Sequence, residues 1–261
     1  MEKKIEPDIT FVIPAYNGTL FLRETIKSIQ NQNSVFTETI VVDDCSDSTL
    51  SSQLTNDFPN VLFLRNKTNM GQSFSRNRGA KIATANIICF LDSDDTIDFN
   101  FSKNMIEHVN IRNTPIVCLS SVILENKSIL SFIINELRNI VLLFLYHFNS
   151  KKLPINFFFA TSPSRMVFPK YVTNKYTFDD KLRQCEDWEL SIKILKELPI
   201  YICPKKLLNF RFSKNSQTNL QIKKNGVECY TRIVGSLPKK YQSTLPIMFF
   251  KAYIKLLKNI K

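Results

Sequence analysis

Histidine, tryptophan and glycine are scarce: the 261 residues hold two, one and five of them. Both histidines, His108 and His147, fall in apolar helical contexts, where structural imidazoles are commoner than ligands, so a metal here would have to be held mainly by oxygen atoms. The six cysteines (45, 89, 118, 185, 203, 229) form no Cys-x-x-Cys pair. Several sit in apolar runs, which reads as reduced thiols used as small hydrophobes and fits a cytoplasmic protein. The N-terminus shows no leader of basic, apolar and small-residue regions. An unbroken membrane-spanning run is missing too: the most apolar stretch, Ile129 to Phe148, contains Glu136 and Arg138 and reads as an amphipathic or buried helix. No internal repeat or low-complexity segment is visible.

The charge is uneven. Net charge is +12, yet residues 1–204 carry 22 basic and 22 acidic residues, while 205–261 carry thirteen Lys or Arg against Glu228 alone. A neutral body with a basic tail suggests a small-molecule enzyme that leans on an anionic surface more than a reader of nucleic acid. Nothing in the sequence sets an oligomeric state.

Apolar runs at Ile9-Pro14, Thr39-Val42, Val61-Leu64 and Asn86-Leu91 alternate with helical patterns at Leu20-Gln30, Ser48-Phe58 and Gln72-Ala83. This alternation predicts βαβ units and a parallel sheet. The strands end in polar residues, Tyr16 and Asn17, Asp43 and Asp44, then Asn66 and Asn69, which share one rim. The fourth ends in Asp92, Ser93, Asp94 and Asp95. Ligands of open α/β sheets bind beyond the carboxyl ends of such strands, and three carboxylates in four residues invite a hard divalent cation, which in turn would clamp phosphates. Farther on, the pattern predicts a helix over Phe101-Ile111, a strand over Ile116-Leu124, a turn-rich stretch through Pro154, Pro163 and Pro169, and a helix over Glu186-Leu198.

Five segments together resemble glycosyltransferase family 2. They are Phe11-Val12-Ile13-Pro14-Ala15-Tyr16-Asn17; Val41 to Asp47; Asn69 to Gly79, similar to the family's Asn-x-Gly-x-x-x-Ala-Arg-Asn; Asp92-Ser93-Asp94, similar to its Asp-x-Asp; and Glu186-Asp187-Trp188, followed by Arg211, Ser216 and Thr218, similar to its Arg-x-His-x-x-Ser-x-Thr. The resemblance implies an α/β fold of the GT-A type: a Rossmann-like, mostly parallel sheet flanked by helices. Residues 1–218 would form the catalytic domain, with 1–100 as its nucleotide-binding half and 101–218 as its acceptor-binding half. Residues 219–261 would be a basic helical extension. It also implies inverting transfer of a sugar from a UDP-sugar to a hydroxyl of a glycan or lipid-linked acceptor, with Mn²⁺ or Mg²⁺, in bacterial surface-polysaccharide or lipopolysaccharide assembly.

On this resemblance Pro14, Ala15, Tyr16, Asn17, Asp43, Asp44, Asn69, Gly71, Arg76, Asp92 and Ser93 would bind the nucleotide-sugar. Asp44 can accept a hydrogen bond from the pyrimidine N3–H that uracil has and cytosine lacks. Arg76 would hold the diphosphate or brace Asp92. Asp94, with Asp92, would hold the metal. Asp187, beside Glu186, would be the catalytic base, and Trp188, Arg211 and Ser216 acceptor or sugar contacts; for Trp188 core packing is an equal alternative. Two positions depart from the family: Cys45 stands where Gly is usual, and Ser213 where many members have a His that completes the metal shell. A sugar nucleotidyltransferase would want a Gly-rich basic loop after the first strand, which Pro14-Ala15-Tyr16-Asn17 is not. A catalytically weak, membrane-peripheral binding protein is the other alternative. From Ile247 to Ile260 a basic amphipathic helix, with Lys251, Lys255 and Lys258 on one face, would meet an anionic membrane or pack on the domain.

Overall fold

The computed structural model describes residues 6–124, 129–149, 151–212, 231–244, 246–248 and 251. The four apolar runs are strands β1 (Ile9–Ala15), β2 (Thr37–Asp43), β3 (Val61–Arg65) and β4 (Ile87–Phe90). They lie parallel in the order β3-β2-β1-β4. Every residue of β1 and β4 is buried, as a sheet covered on both faces demands. The crossovers are α1 (Thr19–Gln30), the short α2 (Leu50–Leu54) and α3 (Gln72–Ile82). Helix α3 lies close against β1 because residue 79 is glycine: a Cβ there would stand 2.3 Å from Val12 Cγ1. In register, Ala15 pairs with Asp43 and Asp43 with Arg65, so the ends of three strands form a single rim.

The second half adds β5 (Thr96–Ile97), α4 (Phe101–Arg112), β6 (Ile116–Leu124), α5 (Ile129–Phe148), β7 (Lys152–Leu153), β8 (Met166–Pro169), α6 (Lys170–Lys175), α7 (Glu186–Leu195) and β9 (Ile200–Phe212). The sheet continues past β4 as β8-β6-β9-β5, with β7 also on β9. Strand β8 runs antiparallel to both β4 and β6, whereas β6 and β9 are parallel. Neither β8 nor β9 stands out as a pattern in the sequence. The first is four residues inside the proline-rich stretch. The second is interrupted: Cys118 pairs with Cys203 but Leu119 with Lys206, so Pro204, which has no N–H to give, falls in a bulge.

One face of the sheet packs on α1 and α4 through Ile26, Ile29, Phe101 and Met105, the other on α3, α5 and α7 through Ala80, Leu142, Leu145 and Leu190. The described part of the C-terminal extension packs on α7, with Ile233, Val234, Leu237 and Ile247 clustered around Trp188, Ile192 and Phe158. The remainder of the helix read over Ile247-Ile260, apart from Met248 and Lys251, lies outside the described residues, as do Ser213, Ser216 and Thr218. Cys45, Cys89, Cys118 and Cys203 are free thiols. Cys185 is disulfide-bonded. The reading of all six cysteines as reduced is therefore corrected at that position, and cysteine usage no longer indicates a cytoplasmic compartment. Among the described residues no helix is long and apolar enough to cross a membrane.

Candidate active site

At the end of β1 the backbone turns at Asn17, in the left-handed region at φ 51. Its side chain locks to the β2 turn reciprocally: Nδ2 donates to Asp47 Oδ2 (2.9 Å) and Oδ1 accepts from Asp47 N (2.9 Å). Tyr16, next to it, is exposed on the rim, free to lie against a planar ligand. Asp43 is a brace: it accepts from the backbone N–H of Ser46 (2.8 Å) and of Leu50 (3.3 Å) and from Arg65 Nη1 (2.6 Å). Burial alone would raise its pKa, but these bonds hold it below the ordinary carboxylate value. Cys45 takes φ 65, the left-handed conformation that glycine would adopt most easily, so the turn keeps its shape despite the substitution.

Asp44 is buried and organises the next loop. Oδ1 accepts from Asn66 Nδ2 (2.7 Å) and Met70 N (2.8 Å), and Oδ2 from Gly71 N (2.7 Å). A carboxylate offers about four acceptor positions, so one on Oδ2 remains for a ligand. Gly71 has φ 91, and Arg183 crosses so close above it that a Cβ would stand 2.3 Å from Nη1. Asn69 lies under the same guanidinium, its Oδ1 3.4 Å from Arg183 Nη1. Arg183 had no place in the sequence reading, since no spacing rule brings a loop residue of the second half onto the first.

Arg76 joins the two halves. It is 2% exposed and projects from α3 so that Nη2 reaches Asp92 Oδ1 at 2.7 Å and Nη1 reaches Glu186 Oε1 at 3.0 Å. Its guanidinium carbon also lies 5.2 Å from the centre of the Phe178 ring. Burial opposes its charge, yet Asp92 and Glu186 together raise its pKa, so the cation is permanent. The backbone N–H of Asp92 is held by Ser164 Oγ (3.0 Å).

Asp94 and Ser93 are partly exposed beside it, whereas Asp95 is fully buried. Asp95 Oδ1 accepts from Arg211 N at 3.0 Å, and its Oδ2 has no hydrogen-bond partner. Burial, then Asp94 and Asp92, push the Asp95 carboxyl well above its ordinary pKa. An orphaned buried oxygen under two further carboxylates fits a cation-binding edge. Among the described residues no three acids, histidines or cysteines converge closely enough to chelate an ion unaided, and Asp92 is already paired with Arg76. The chain thus offers Asp94, supported by Asp92, and a ligand would have to supply further oxygens.

Arg211 is nearly buried beneath this loop. Its Nε donates to Asp94 O (3.0 Å), its Nη2 pairs with Glu24, and it lies 4.3 Å over the Phe21 ring. It therefore braces the acidic loop from below. Glu186 and Asp187 open α7, whose preceding residue Cys185 takes φ 59. Asp187 Oδ1 accepts its own neighbour's N–H, from Trp188, at 2.8 Å. Burial, reinforced by Glu186, pushes its carboxyl up to about 7, a value suited to a general base near neutral pH. Trp188 is 5% exposed with its ring edge-on to Phe158; core packing accounts for it.

The model of the family described as "Glycosyl transferase family 2" matches residues 10–172, from β1 through the acidic loop and into α6. The chain belongs to glycosyl transferase family 2. Among curated relatives, it is 31% identical over 189 residues to the succinoglycan biosynthesis protein ExoO of Rhizobium meliloti, covering 70% of this chain and 54% of that one. It is 34% identical over 118 residues to the minor teichoic acid biosynthesis protein GgaB of Bacillus subtilis, covering 42% of this chain and 13% of that one. The chain thus spans about half the length of the first of these relatives and far less of the other. In solved structures it resembles S. aureus TarS 1-349 in complex with UDP-GlcNAc, with TM-score 0.69 at 16% identity over 95% of this chain and 73% of that one. The complex with UDP gives 0.68 at 17% identity over 95% and 72%. The GT-A fold expected for a family 2 chain is the one observed.

Proposed function

We propose that this chain is an inverting glycosyltransferase that moves a sugar from a UDP-sugar to a hydroxyl of a glycan or lipid-linked acceptor in surface-polysaccharide assembly. The observation that carries the reading is the Arg76 junction. One buried guanidinium ties Asp92, at the end of β4, to Glu186, at the start of α7, and so holds the acidic loop and Asp187 on opposite sides of a single rigid strut.

In this mechanism the uracil lies against Tyr16 and gives its N3–H to Asp44 Oδ2, while Asn69 and Gly71 let the backbone approach the nucleotide. The acidic loop faces the diphosphate. Asp94, with Asp92, would hold Mn²⁺ or Mg²⁺, which when bound neutralises the charge that grows on the leaving diphosphate. Asp187 takes the proton of the acceptor hydroxyl, whose oxygen attacks the anomeric carbon from the side opposite the diphosphate. A new C–O bond forms, the bond from the anomeric carbon to the phosphate oxygen breaks, and UDP leaves with that electron pair. One displacement inverts the anomeric centre. The teichoic acid and succinoglycan roles named for the relatives support a polymeric surface acceptor, and the UDP and UDP-GlcNAc complexes of TarS support a uridine donor. The absence of a Gly-rich loop after β1 and the family match disfavour the nucleotidyltransferase alternative. Release of free UDP from UDP-sugars, with no matching release of CDP or GDP from other donors, tests the reading.

A further inference from the structure

Helix α5 is turned partly inside out. Its inward face buries Asn135 and Asn139, which are satisfied by Ser120: Asn139 Oδ1 accepts from Ser120 N (3.1 Å), and both amides donate to Ser120 O (2.8 and 2.7 Å). Its outward face carries Ile133, Leu137, Ile140, Phe144 and Phe148, between 45% and 76% exposed. At ~100° per residue these five fall within an arc of about 80°, a continuous apolar stripe along most of a helix ~30 Å long. Scattered exposed apolar residues need no explanation; a stripe of this length does.

The border of the stripe is cationic and aromatic. The only acid of the helix, Glu136, is neutralised by Lys206 at 3.0 Å. Where the helix ends, Lys151 Nζ lies 5.3 Å from the Tyr146 ring centre, and Lys152 and Arg112 lie over Tyr201 at 5.7 and 4.1 Å. Apolar rings flanked by lysines and tyrosines are the composition of a helix lying in a bilayer interface, with its charges among headgroups. We propose that α5 is the surface by which this protein rests on an anionic bilayer. Two copies pressed together on this face would set the cations of Lys151, Lys152 and Arg112 against their like, whereas anionic headgroups neutralise them. The helix is also joined to the candidate active site. Asn135 Oδ1 accepts from Arg165, whose neighbour Ser164 holds the backbone of Asp92, so a lipid surface under α5 lies within a few side chains of the acidic loop.

Vesicle sedimentation of the full chain tests this without reference to donor chemistry, so its outcome is separate from that of the glycosyltransferase reading. Wild type should sediment with phosphatidylglycerol-containing vesicles and remain in solution with pure phosphatidylcholine. Ile140→Glu combined with Phe144→Glu should weaken partition by roughly tenfold or more while preserving the melting temperature, since both side chains are exposed. Should that variant misfold, Phe144→Trp gives an independent reading: its added emission should shift to the blue on anionic vesicles. Undiminished sedimentation of the double variant, or emission from Phe144→Trp that does not move, overturns the proposal. So does a wild type that ignores vesicles and elutes as a dimer that the double variant abolishes, which would assign the stripe to a second copy.

Discussion

Replacing Arg76 by methionine removes the cation but keeps most of its length, and the structure sets the consequence. Asp92 and Glu186 lose their common partner, Glu186 being buried and Asp92 mostly so. Breaking a buried ion pair by deleting one member typically costs about 3–5 kcal/mol, because the remaining charge is left uncompensated. The lower end applies here: Gln72 Nε2 still donates to Glu186, and Asp92 can turn toward water. For a chain of this size ~3 kcal/mol corresponds to a fall of roughly 6–12 °C in melting temperature. Arg76 also lowers the Asp187 pKa, so in the variant the rising limb of the pH–rate profile should move above its wild-type position near pH 7. Urea unfolding followed by far-UV circular dichroism measures the first effect, and donor turnover against pH the second. A variant that loses less than about 1 kcal/mol and keeps the wild-type profile would refute the strut.

Three further outcomes follow from named contacts. Asp187→Asn should lower turnover by ~10²–10⁴-fold with donor affinity nearly unchanged; because the raised pKa makes the folded state hold its proton more tightly, wild-type stability should fall between about pH 4 and 7, and the variant should be the more stable protein above neutrality by thermal melting. Asp94→Asn should abolish any gain in UDP affinity produced by Mn²⁺, read by titration calorimetry with and without the ion; an undiminished gain would move the metal elsewhere. Cys45→Gly should be more stable than Cys45→Ala by about 1 kcal/mol in denaturant titration, reversing the usual order of those residues because φ at this position is positive.

The first hundred residues were legible because their physics is local. Buried parallel strands are unbroken apolar runs, and the residues just past them form the rim, so Asn17, Asp44 and the acidic loop could be placed from spacing alone. Past residue 112 the determinants become long-range. Strand β8 is too short to carry a period, and β9 is disguised by the bulge at Pro204. The roles of Arg211 and Trp188 depend on which surfaces they meet: the guanidinium found Asp94 O, Glu24 and Phe21, and the indole found Phe158 and the extension. Asn135 and Asn139, spaced four apart on α5, lie inside because Ser120 and Arg165 supply their partners, which no local pattern announces.

The claim that this rim is a UDP-sugar transferase site is tested most directly by a nucleotide-sugar panel, scored for free nucleotide with and without Mn²⁺, on wild type and Asp187→Asn in parallel. The account predicts UDP release from at least one UDP-sugar, enhanced by the ion and sharply reduced in the variant. Nucleotide release that favours CDP- or GDP-sugars, or that is equal in the two proteins, would contradict it.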